Sequence, residues 1–168
     1  MITGGYDMLK LFEYNWQVRQ DWFDWCDTVS EDELLKQRTG GIGSILYTLH
    51  HIVTVEYAWL CMDLQGKELD IPSFEDCASV QGLRDYSARA HAEIAPFVYD
   101  WNDSLEDRIM VDTNQDGEQE RFTFGEVMRH VIAHEIHHIG QLSIWSREIG
   151  KQPVTANLIH RGLFDIKC

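Results

Sequence analysis

The chain has 168 residues, 44% of them hydrophobic, which suits a single domain over residues 1–168 with a sizeable core. Lys and Arg total 14 against 28 for Asp and Glu, a net charge of -14. Such a field repels phosphate backbones and anionic lipid, so neither nucleic acid nor a membrane surface is expected as a partner. No stretch approaches the roughly 20 apolar residues of a membrane span, and no basic segment followed by an apolar run opens the chain. Cys26, Cys61, Cys77 and Cys168 are scattered without a C-x-x-C pair and read as reduced thiols of a cytoplasmic protein.

Residues 6–29 place Leu9, Phe12, Trp16, Arg19, Trp22, Phe23 and Cys26 at helical spacing, the first long helix. Trp16, Trp22 and Trp25 read as bulky filling between helices rather than as a recognition surface. Ser30-Glu31-Asp32-Glu33 has the form of a capping box, opening a short helix that ends near Arg38. Gly40, Gly41 and Gly43 then break the chain.

Ser44 suits the N-cap of a second long helix, roughly Ile45 to Leu64. It is apolar almost all round, so it is expected to be buried on several sides. It carries His50 and His51, adjacent in sequence and therefore on different faces. Either is costly to bury without a partner. Helical geometry leaves both open, with a slight lean to His50, which lies nearer the stripe through Leu49 and Ile52. Glu56 reads as an acceptor for an imidazole or as an ordinary helix carboxylate.

From Gln65 to about Val80 the periodicity stops. A loop of this length can run along a bundle and make two consecutive helices parallel. A third helix follows, about Gln81 to Tyr99, which Pro96 should bend or shorten. His91 lies on it, a candidate further ligand or an ordinary surface or core histidine. Residues 108–112 and 120–123 flank Asn114-Gln115-Asp116-Gly117 and read as a small β-hairpin. Asp112 to Gly117 imitates the first half of a calcium loop, but Thr123 stands where the bidentate glutamate belongs.

A fourth helix, about Phe124 to Ile149, holds four of the eight histidines. At ~100° per residue, His134 and His138 fall inside its apolar arc, one turn apart, while His130 and His137 lie toward the edge. Two imidazoles spaced i, i+4 can share one cation, and burying both as mere packing would leave ring nitrogens without partners. One of the second-helix histidines is the natural third ligand. Gly150 and Pro153 end the helix, and the tail is expected to fold back over the bundle. His134-Glu135-Ile136-His137-His138 also spells H-E-x-x-H, in which Glu135 would be the base of a metalloprotease. Against that reading, Gln141 stands where the metzincin extension needs Gly, His160 is the remaining downstream ligand, and no substrate-binding sheet is apparent.

Two histidine stretches carry a resemblance. Ser44-Ile45 with Thr48-Leu49-His50-His51-Ile52, Glu56 and Trp59 resembles the second-helix motif of the DinB/YfiT-like family. His130-Val131, His134, His137-His138-Ile139-Gly140-Gln141 and Gly150 resemble its fourth-helix motif, and Leu11 to Trp16 is similar to the way such proteins begin. The resemblance implies an all-α four-helix bundle of up-down-down-up type with a long crossover between helices 2 and 3. It implies a divalent metal, zinc or nickel, held by His51, His134 and His138, and so selects His51 over His50. Ile139 departs from the family, which often has Arg there, and this bears on any anionic group bound nearby. Relatives include S-transferases that use bacillithiol or mycothiol, so a small-molecule thiol and an electrophile are the implied substrates; a homodimer is expected as well. The site would activate the thiol, or water. The other readings are a metal-stabilised bundle that binds a ligand or partner without turnover, and the H-E-x-x-H protease.

Overall fold

A computed structural model describes residues 4–164, with side chains from residue 7 onward. Helix α1 (Gly4–Cys26) is followed by the short α2 (Glu31–Leu35) and by α3 (Ile45–Tyr57). After the crossover come α4 (Val80–Tyr99), strands β1 (Ile109–Thr113) and β2 (Gln119–Thr123), and α5 (Phe124–Glu148). The fold is thus mostly helical, with one small antiparallel sheet. Helix α3 packs on α4 and α5, and α1 packs on the same two helices. Phe12, Trp22, Leu49, Ile52, Leu83, Ile94, Met128, Leu142 and Trp145 are buried in one cluster drawn from all four long helices. That is how four amphipathic stripes remove their apolar area from water. Among the described residues, no helix is long and apolar enough to cross a membrane.

Local chemistry explains the boundaries and corrects some of them. Ser44 Oγ accepts from the Tyr47 backbone N–H and caps α3 as expected. Ser30 makes no such bond. Its supposed partner Glu33 instead takes Arg38 Nη2 at 2.7 Å, a charge-assisted contact stronger than a cap. The capping box of this chain stands elsewhere, between Thr123 and Glu126 at the start of α5. Helix α3 does not run on as α-helix to Leu64, because Ala58–Asp63 widen into a π-helical turn. Within it, Leu64 N–H reaches Trp59 O at 3.0 Å, an i→i−5 bond. Helix α4 continues through Pro96 to Tyr99; the proline removes only its own N–H bond, and the Asp100 N–H still reaches Pro96 O to close the last turn.

The hairpin pairs Ile109 with Thr123 and Asp112 with Glu120. Asn114 Oδ1 accepts from the N–H groups of Asp116 and Glu118, and Gly117 adopts φ 80° to close the turn. The stretch that imitates a calcium loop is this turn. The tail lies along α1: Tyr14 Oη donates to Ala156 O at 2.6 Å, Trp25 Nε1 to Gln152 O at 2.9 Å, and Arg161 pairs with Asp21 at 3.0 Å. Cys26, Cys61 and Cys77 are free and buried; Cys168 lies outside the described residues.

Among the described residues, three charged side chains are buried in the core: Arg19, Glu56 and Glu135. Arg19 of α1 is 2% exposed, and its guanidinium bridges two carboxylates. Nε and Nη2 grip Glu135 of α5 at 2.9 and 2.6 Å, and Nη1 faces Glu56 Oε2 of α3 at 2.7 Å. Glu56 Oε1 accepts from Trp16 Nε1 at 2.8 Å. Burial works against the charge of Arg19, but Glu135 and Glu56 outweigh it and hold its pKa up. Burial in turn pushes the Glu135 carboxyl up, against the pull of Arg19. Removing the cation would strand two buried carboxylates. Arg19→Met is therefore expected to cost about 3–5 kcal/mol of stability, read as a lower urea unfolding midpoint. Arg19→Lys should recover only part, because one ammonium cannot reproduce the two-sided fork.

Candidate metal centre

Helices α3 and α5 bring three imidazoles together where they touch. His51 Nε2 stands 3.0 Å from His134 Nε2, and His138 Nε2 stands 3.1 Å from the same atom. Among the described residues, His51, His134 and His138 form a group whose ligand nitrogens all lie within 4.8 Å of one another. His134 and His138 meet because i, i+4 side chains stack on one helical face. His51 joins them because α3 lies against that face. His138 is buried, and the other two are half-buried.

Proton placement follows from the neighbours. Gln141, one turn beyond His138, offers Oε1 to His138 Nδ1 at 2.8 Å. The Nδ1–H donates there, which leaves the Nε2 lone pair turned toward the cluster. The Gln141 amide nitrogen donates to His137 Nε2 at 3.2 Å, which fixes the orientation of the carboxamide. Burial lowers the pKa of all three imidazoles. For His134, burial comes first, then the nearness of His138 and His51, and the value is pushed down to about 3. The rings are therefore neutral at pH 7, the form that ligates metal.

The donor set fits a divalent cation. Three nitrogens crowd together with at least one bare lone pair among them, and the buried carboxylates among the described residues, Glu56 and Glu135, are both held by Arg19. Nitrogens about 2.0–2.1 Å from a tetrahedral zinc lie roughly 3.3–3.4 Å apart, close to the separations found here. Imidazole donors suit zinc, nickel and copper, and leave out the hard cations that favour oxygen.

His50 is not in the cluster; its Nε2–H donates to Pro72 O at 3.0 Å and pins the crossover to α3, against the slight geometric lean in its favour. His91 packs edge-on against Trp16, ring centres 4.4 Å apart, and belongs to the α1–α4 side. His137 is exposed beside the cluster, and His130 lies one turn before His134, ring centres 6.1 Å apart. Glu56 touches no imidazole of the cluster; its partners are Trp16 and Arg19. Both carboxylate oxygens of Glu135 are engaged by Arg19, so the H-E-x-x-H stretch lacks the free base a protease needs. Ile139 is buried in the core and brings no charge to the site. In the sequence Gln141 stood as a failed metzincin position and as part of the fourth-helix motif, with no contact to a histidine expected of it. Its spacing of three from His138 was the signal for its role.

The comparisons agree with this architecture. A model of the DinB family matches residues 1–161. The uncharacterized protein YizA of Bacillus subtilis is 44% identical over 156 residues, covering 93% of this chain and 96% of that protein. A crystal structure of a DinB-like protein from Bacillus cereus superposes with a TM-score of 0.66 at 17% identity, covering 89% of this chain and 93% of that one.

Two outcomes are expected. Gln141→Ala should weaken metal affinity roughly 10–100-fold, measured by chelator competition, because the His138 ring loses its orienting acceptor. The second concerns pH. Free imidazoles titrate near 6.5, whereas His134 in the fold is depressed to about 3. Between those values the unfolded chain binds protons that the folded metal-free cluster does not. Stability is full above about 6.5 and declines as pH falls through that window. The melting temperature of the metal-free protein should drop from pH 7 to pH 5, and the drop should be shallower in His134→Ala.

Proposed function

The chain belongs to the DinB family, and on that premise we propose that it is a metal-dependent enzyme whose His51, His134 and His138 hold one divalent cation, zinc or nickel. Its reaction is transfer of a low-molecular-weight thiol of the bacillithiol type to an electrophile, with water as the alternative nucleophile. The observation that carries this reading is the convergence of three neutral imidazoles at 3.0 and 3.1 Å in a helical core. A divalent ion with three protein ligands keeps a position open and would lower the pKa of a thiol or water there.

The chain's own residues supply the rest. Gln141 sets the His138 tautomer, and burial keeps all three rings unprotonated. The Arg19 bridge holds α3 and α5 at a fixed separation beside the site. In the transfer, the thiol sulfur forms the new bond, the leaving group departs with its electron pair, and the thiol proton passes to solvent. The same reading takes residues 1–168 as one domain, an up-down-down-up bundle that pairs as a homodimer in the cytoplasm.

Metal analysis of purified variants tests the ligand set. His51→Ala and His138→Ala should lose metal stoichiometry, while His137→Ala and His50→Ala should keep it; the reverse pattern would assign the wrong helix face. Activity is tested by incubating metal-loaded protein with a small thiol and a chromogenic aryl halide. Metal-dependent thioether formation that disappears in His138→Ala supports an enzyme. Full metal occupancy without turnover across a panel of thiols and electrophiles leaves the binding-bundle reading instead.

A further inference from the structure

A row of aromatic rings leads away from the histidine cluster along the α3–α5 groove. Trp59 stands two turns beyond His51 on α3, where the helix opens into its π-helical turn. Its ring lies 5.7 Å from His130 at 63° and 6.2 Å from Phe122 of β2 at 80°. His130 in turn lies 6.1 Å from His134. The three rings line a cavity of about 610 Å³ between α3, α5 and the hairpin, within the size range of small-molecule sites. Trp59 and Phe122 are only half-buried, and His130 is exposed, so their surfaces are open to a ligand.

Carboxylates outnumber cations three to one around this cavity. Asp112, Glu120 and Glu126 contribute carboxylates to its wall. Its one guanidinium, Arg129, is already bound to Glu106 at 2.6 Å and to Gly125 O at 2.8 Å. Ring faces set at steep angles, with Trp among them, attract a cation through their quadrupoles, and alkylated ammonium groups are the ligands such cages hold best. A wall of carboxylates adds to that attraction and repels anions.

We propose that this cavity binds a small organic cation, an alkylated ammonium attached to an apolar body, and presents it to the histidine cluster. Its role as a substrate subsite rests on the enzymatic reading above; its binding does not. The acidic wall makes the cavity the place for the electrophile rather than for an anionic thiol.

The test titrates zinc-loaded and metal-free protein with benzyltrimethylammonium, benzyl alcohol and phenylacetate, followed by calorimetry and by the indole N–H resonances. The cation is expected to bind about tenfold more tightly than either comparator in both forms. Trp59→Ala should abolish that preference, and Trp59→Phe should retain part of it. Asp112→Asn with Glu120→Gln should narrow the margin over benzyl alcohol while the circular dichroism stays unchanged. Equal binding of the three probes, no binding of the cation, or binding indifferent to both Trp59→Ala and the carboxamide pair would overturn the proposal. Cation binding retained in His138→Ala separates the two readings, since that variant lacks the metal but keeps the cavity.

Discussion

The interior of this protein is built around a guanidinium. Arg19 reaches from α1 to Glu56 on α3 and Glu135 on α5, with all three side chains almost wholly out of water. Charges so placed are tolerable only in close pairing, because each alone carries a desolvation penalty of several kcal/mol. The geometry is correspondingly tight, with contacts of 2.6 to 2.9 Å to three of the guanidinium nitrogens. The two helices tied by this bridge are also the two that bring their histidines together. Glu135 follows His134 directly in sequence, so the face of α5 that meets Arg19 adjoins the face that meets His51. A shift of α5 along or around its axis would break the ion pairs and the imidazole contacts together.

That coupling also explains why the H-E-x-x-H letters mislead. In a helix, consecutive residues point ~100° apart. His134 and His138 can therefore share a face, while the glutamate between them belongs to a neighbouring one. The motif specifies where the histidines go, and the partner across the glutamate decides what the glutamate does. Here that partner is an arginine from another helix, and the carboxylate becomes a structural counter-ion.

Much of the architecture was legible in the order of residues. The apolar stripes, the breaks at Gly43 and Gly150 and the loss of periodicity from Gln65 located the long helices. The turn residues around Asn114 and Gly117 located the hairpin, and the i, i+4 pair of His134 and His138 needed only helical geometry. The choice between His50 and His51 was not readable from periodicity, because α3 is apolar nearly all round and its azimuth depends on where α4 and α5 lie. The resemblance selected His51, and packing puts that ring with the other two while His50 turns to Pro72. Arg19 stood among the apolar positions of the first helix, which is the pattern of a buried charge, but its partners lie far away in sequence. The π-helical turn after Tyr57 has no proline or glycine to announce it. Ser30 had the letters of a cap without its hydrogen bond, and the Glu33 carboxylate is taken by Arg38.

The Arg19–Glu135 contact spans 116 residues, and this has a bearing on biosynthesis. As the chain leaves the ribosome, α1 emerges before α5, and its guanidinium has only Glu56 to settle on until α5 is out. Until then Arg19 and Glu56 must stay hydrated or pair provisionally with each other. His51 of α3 likewise waits for His134 and His138 on α5. The three imidazoles thus come together only once α5 has been made.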